Sequence, residues 1–129
     1  MIVLDASAVV ELLLGTLGAA AVERRVARAR SLHAPSLLDL EVAQAIRRFC
    51  ATGQLRAERG GQAIAELADL PVRRYPHTPL LGRIWQLRTG ITAYDAAYIA
   101  LAETLGAPLV TRDRRLARAR GHRARIDLV

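Results

Sequence analysis

Short apolar runs, each too brief for a helix, recur along this chain, and longer stretches with helical periodicity separate them. Ile2–Leu4 is the first run, and it ends at Asp5 as a buried parallel strand would. His33–Pro35, Val72–Tyr75 (bracketed by Pro71 and Pro76), Pro108–Thr111 and Ala124–Leu128 read as further strands. Helices are expected over Ala6–Leu14, stopped by Gly15, and over Leu17–Ala29, with Glu23, Arg24, Arg25 and Arg28 on its wet side. Ser36 is the expected cap of a third helix, which reaches about Ala51 and ends at Gly53; a fourth covers about Ala57–Leu70. Thr78 with Pro79 starts another, running to about Arg88. Thr92 caps an apolar helix over Ala93–Leu105, closed by Gly106, and Asp113–Ala119 forms a short last one. Strands alternating with helices imply an α/β sandwich around a parallel sheet, where sites gather at the carboxyl ends of the strands. With 129 residues, 52% of them hydrophobic, the chain has material for one compact domain spanning 1–129.

Four acids occupy positions where acids are costly. Asp5 ends the first strand and Asp113 lies just past Leu109–Thr111, so both project from the same sheet edge. Each would equally serve to cap the helix that follows it. On the third helix Leu38, Val42, Ala45 and Phe49 form an expected buried stripe, and Glu41 falls inside its arc. Asp95 heads the face shared by Tyr98, Ile99 and Ala102; its place in the first helical turn is also favoured by the helix dipole. Glu41 has no such reason, and burying an unpaired carboxylate is expensive.

A divalent cation would resolve the conflict, since converging carboxylates repel one another unless some take up protons. Ligands that are all oxygen suit Mg²⁺ or Mn²⁺ rather than zinc. His33, His77 and His122 show no paired metal-ligand spacing and read as structural or solvent-exposed. Cys50 is alone, so no intrachain disulfide is possible; in its apolar helical stretch it reads as a buried structural thiol suited to a reducing cytoplasm. No lysine is present, nor any poised Cys–His or Ser–His motif, which leaves metal-assisted hydrolysis. All nineteen basic residues are therefore arginine, whose planar fork matches phosphate oxygens, although biased codon usage explains the same count. The net charge of +7 attracts polyanions or an acidic protein partner. Asp5 and Glu11 interrupt the first apolar run, so neither a signal peptide nor a membrane span is indicated.

The segments MIVLDASAVVELLLG, LLDLEVAQAIRR, ITAYDAAYIALAE and LVTRDRRLARA together resemble PIN-domain ribonucleases, and most of all the VapC toxins of bacterial toxin–antitoxin pairs. Each motif alone is weak, but the four occur in the right order across essentially the whole chain. The resemblance implies a PIN fold, a parallel sheet between helices, and RNA cleavage with Mg²⁺ or Mn²⁺ held by Asp5, Glu41, Asp95 and Asp113. It also implies supporting roles for the hydroxyls of Ser7 and Thr111, which would otherwise be plain helix or turn caps. Some relatives carry another acid two residues after the last Asp, where this chain has Arg115; that implies a leaner site, with one ion held firmly and a second only with substrate. Arg112, Arg114, Arg115 and Arg118 are candidates for holding the RNA backbone, or simply a solvated basic helix face.

By the same resemblance the expected partners are a cognate VapB-like antitoxin and a second copy of the chain, in the cytoplasm, with no membrane. The apolar stretches Leu12–Val26 and Leu55–Leu70 are candidate surfaces for either partner, or ordinary core. A phosphoryl-transfer fold built on a strand ending in Asp fits poorly, because it normally needs a lysine and a second acid where Ser7 stands. A catalytically inactive PIN-like module that binds RNA or protein is the other alternative. Loss of one of the four acids would support it, and all four are present.

Overall fold

The computed structural model describes residues 1–129. Five strands, β1 (Ile2–Leu4), β2 (Leu32–Pro35), β3 (Val72–Tyr75), β4 (Leu109–Thr111) and β5 (Ile126–Leu128), form one sheet in the order β3-β2-β1-β4-β5. Every pairing is parallel, with Val3 opposite both His33 and Leu109. The helices are α1 (Ala6–Leu14), α2 (Ala19–Ala27), α3 (Leu38–Ala51), α4 (Ala57–Asp69), α5 (Leu81–Gln86), α6 (Ala93–Leu105) and α7 (Arg114–Ala117).

The strand order contains a reversal. The chain steps outward from β1 to β2 and β3, then returns to the other side of β1 for β4 and β5. Right-handed crossovers therefore place α1 to α4 on one face and α6 on the other. β1 is central and covered on both sides, which is why Ile2, Val3 and Leu4 form a continuous apolar run instead of alternating. α6 lies across β1, β2 and β4, and Ala96 to Ala102 are all buried. Its four small alanines in that stretch let the helix sit close on the sheet. The crevice at the ends of β1 and β4, whose following connections leave in opposite directions, is the switch point at which α/β sheets bind ligands.

Several boundaries differ from expectation, each for a local reason. Ser36 does not cap α3: its hydroxyl donates to the Tyr75 carbonyl, Leu37 precedes the helix, and no side chain caps it. The second helix is shorter than Leu17–Ala29, because Gly15 to Gly18 form the turn that bends α2 by 105° from α1. Leu12–Val26 thus spans the end of α1 and most of α2. Thr78 and Pro79 open a 3-10 turn (Thr78–Leu80) before α5, and the helix ends at Gln86 rather than Arg88. Helix α7 is only one turn long, with Asp113 as its cap. The strand starting at Pro108 begins instead at Leu109, and that starting at Ala124 begins at Ile126. No single helix is long and apolar enough to cross a membrane.

Candidate active site

β1 delivers Asp5 into the switch point, where it is 5% exposed. Its Oδ1 accepts from the Ala8 amide at 3.0 Å, so it does cap α1. The same carboxylate also gathers contacts that a cap does not require. Ser7 Oγ donates to Oδ1 at 2.8 Å and Thr111 Oγ1 donates to Oδ2 at 2.7 Å. Both hydroxyls in turn accept amides from the segment after β4: Ser7 from Arg112 and Thr111 from Asp113, each at 2.9 Å. The ends of β1 and β4 are thereby laced together around one acid. Burial pushes the Asp5 carboxyl up, against the bonds from Thr111, Ala8 and Ser7, and the nearby Asp113 charge adds to the rise.

Glu41 is half-buried, and the reason corrects the expected stripe. The buried row of α3 is Leu38, Val42 and Ile46, spaced four apart; Ala45 and Phe49 are only partly buried and face a groove. Glu41 shares that second row, at the edge of the core instead of within it. It is also not unpaired, since Tyr98 Oη donates to its Oε2 at 2.6 Å. Burial raises the Glu41 carboxyl, the Tyr98 bond opposes this, and the charges of Asp95 and Asp5 push it further up. Burial and the same acids hold the Tyr98 phenol protonated, so it remains a donor. Tyr98 lies on the helical face headed by Asp95, and helical spacing alone does not reveal this partner on α3.

Asp95 opens α6, where Thr92 Oγ1 accepts its backbone amide at 3.2 Å. Its carboxyl is raised by burial first, with Arg115 opposing and Asp113 reinforcing. Asp113 caps α7 by accepting the amides of Arg115 and Leu116 at 2.7 and 3.3 Å. Arg115 Nη2 lies 3.1 Å from Asp95 Oδ2 and 3.4 Å from Asp113 Oδ2. The fold thus links the four acids, from four different elements, by charge: Glu41 and Asp113 each feel both Asp5 and Asp95.

A hard divalent cation suits this donor set: oxygens only, three of the carboxyls lifted by burial, and mutual repulsion that a counter-charge would relieve. In the arrangement seen, however, no three acids or histidines are drawn in close enough to grip one ion, and Asp95 and Asp113 hold Arg115 instead. The histidines lie apart from this set. His33 is buried between the Tyr75 hydroxyl and the Ser31 hydroxyl, each at 2.8 Å, and His77 is exposed. His122 Nε2 meets the Ala119 carbonyl at 3.0 Å, and its Nδ1 is buried without a partner. Cys50 is half-buried against α4, more exposed than expected.

The arginines after β4 diverge. Arg112 pairs with Glu11 at 3.5 Å and donates to the Val129 carbonyl, so it is engaged within the fold. Arg114 and Arg118 are exposed. Beside the acids runs a groove of about 740 Å³ between α1 and α3, lined by apolar side chains including Val10, Leu14, Leu40 and Phe49 and reaching Glu41 and Ser7.

This fold and site have counterparts. The PIN domain family matches residues 2–122. Ribonuclease VapC12 of Mycobacterium tuberculosis is 49% identical over 129 residues, covering 100% of this chain and 99% of the relative. The crystal structure of Mycobacterium tuberculosis VapC20, described as a Sarcin-Ricin loop cleaving toxin, superposes with TM-score 0.73 at 17% identity, covering 95% of this chain and 97% of that one. VapBC2 from Rickettsia felis, solved bound to a DNA fragment from its promoter, gives TM-score 0.68 at 14% identity, covering 99% and 98%. A parallel sheet with carboxylates at its switch point, matched over nearly its whole length, makes this chain a member of the PIN-domain family. Within that family it is a ribonuclease of the VapC type.

Proposed function

We propose that this chain is a Mg²⁺- or Mn²⁺-dependent endoribonuclease and the toxin of a VapBC-like pair, with Asp5, Glu41, Asp95 and Asp113 as its catalytic acids. The observation that supports the reading is the mutual charge repulsion linking four acids from the end of β1, α3, α6 and the β4–α7 junction, three of them raised by burial. Asp5 and Asp95 would bind metal directly, with Asp113 and Glu41 completing the site, partly through water. A divalent cation held by these acids would supply Lewis-acid chemistry, activating water and stabilising charge on the leaving oxygen of a phosphodiester. Ser7 and Thr111 fix the Asp5 carboxylate by donating to both its oxygens. Tyr98 takes Glu41 Oε2 and so orients Oε1. Arg114 and Arg118, exposed beside the acids, would hold the RNA backbone.

A VapB-like antitoxin has a place to bind. The groove between α1 and α3 mixes apolar side chains with Glu11, Gln44, Arg48 and Arg112 and includes Glu41 and Ser7 in its lining, so an amphipathic segment seated there would cover Glu41. A homodimer in the cytoplasm, acting through one PIN domain per chain, completes the proposal. Purified protein should cleave RNA with Mg²⁺ or Mn²⁺ and lose cleavage in chelator, while Asp95→Asn should be inactive with either metal. Cleavage without metal, or full activity in Asp95→Asn, would overturn the reading.

A further inference from the structure

Arg115 stands at the one place where the acid cluster already has a cation. Its guanidinium Nη2 reaches Asp95 Oδ2 at 3.1 Å and Asp113 Oδ2 at 3.4 Å. The two acids are the enclosed partners, with side chains 19% and 33% exposed, whereas the Arg115 side chain is 69% exposed. It therefore reaches in from solvent on a long stem, and its backbone amide is held by Asp113 Oδ1. Ion pairs so exposed are weak and readily exchanged. A guanidinium and a divalent ion cannot both occupy the Asp95–Asp113 gap.

Arg115 also borders a separate cavity of about 280 Å³, which Asp95, Thr89, Gly90, Arg118 and Arg120 line as well. Asp95 is the sole acid in that lining, so the cavity is set up for an anion once Asp95 is neutralised by another cation.

Building on the proposed metal site, we infer that Arg115 is a resident counter-cation that a divalent metal must displace, and that the freed guanidinium then takes an RNA phosphate in the adjoining arginine-lined cavity. Metal and nucleic acid thereby favour each other's binding, because each removes an interaction that opposes the other. The free protein holds metal weakly and acquires full affinity only with substrate present.

Mn²⁺ binding measured by calorimetry, without RNA, tests the first half. Arg115→Gln should bind Mn²⁺ about three- to ten-fold more tightly than the unaltered protein, and Arg115→Lys should stay close to it. A single-stranded DNA oligonucleotide, serving as an uncleaved phosphate chain, should tighten Mn²⁺ binding in the unaltered protein and much less in Arg115→Gln. Because the side chain is exposed, both variants should keep the parental melting temperature. Unchanged or weaker Mn²⁺ binding by Arg115→Gln would overturn the counter-cation role. Equal tightening by the oligonucleotide in both proteins would overturn the phosphate role. Absence of Mn²⁺ binding in all three proteins would overturn the metal site itself, and this inference with it.

Discussion

Glu41 shows how a single side chain carries both the cost and the use of this site. Burial, with Asp95 and Asp5 nearby, holds its carboxyl above the ordinary 4.5 despite the Tyr98 bond. The folded protein therefore takes up that proton more readily than the unfolded chain. At low pH, with the group protonated in both states, the shift has no effect on stability; the penalty grows as pH rises from 4.5 through the raised value. Glu41→Gln keeps an acceptor for Tyr98 and removes the charge. Its metal-free melting temperature should exceed that of the parent at about pH 8 and match it near about pH 3. Equal melting at both pH values would show that Glu41 is not strained by its surroundings. The sequence made the acid visible, because an acid beside an apolar stripe is conspicuous. Its phenol partner lies 57 residues away, and no local pattern links the two.

Elements were legible where a terminus has its own chemistry, and less so where tertiary contacts set the limit. Helix α6 has the boundaries expected from Thr92 and Gly106, since both ends are closed by their own residues: a side-chain cap and a left-handed glycine at φ 60°. The start of α3 departs from the expected Ser36 cap because Ser36 donates its hydroxyl to β3. On α3 the expected buried stripe holds at Leu38 and Val42 but not at Ala45 and Phe49, which are apolar yet line a groove. Between α3 and α4 the packing is close enough to test. A Cβ on Gly60 would lie 2.8 Å from Cys50 Sγ and 3.4 Å from Ile46 Cγ2. Gly60→Ala should therefore lower stability by about 1 kcal/mol in chemical denaturation, despite the better helix propensity of alanine. In a Cys50→Ala background the same change should be neutral or stabilising; additive effects would mean that the two helices do not meet there.

Across the whole molecule, the acids of the site are matched by ion pairs elsewhere that stabilise the layers. Glu103 on α6 takes the Arg83 guanidinium of α5 at 2.7 and 3.0 Å and the Arg123 amide at 2.7 Å. Those contacts, with Arg83 foremost, hold its carboxyl at about 2 against an ordinary 4.5. A carboxyl depressed in the folded state stabilises above its unfolded value, and the gain fades as pH falls from 4.5 towards 2. Glu103→Gln should thus cost about 2 kcal/mol near neutral pH in urea unfolding, and little below about pH 2. A pH-independent cost would assign the effect to packing instead of charge. Fold class and sheet direction were readable from the alternation of runs, whereas the approach of Arg115 to two acids required the β4–α7 junction to be set against α6. The lacing of Asp5 to Thr111 spans 106 positions of chain. A ribosome synthesising this protein consequently carries no assembled acid site until β4 has emerged and paired with β1. For most of its own synthesis the growing chain therefore lacks the contact that joins Asp5 to Thr111.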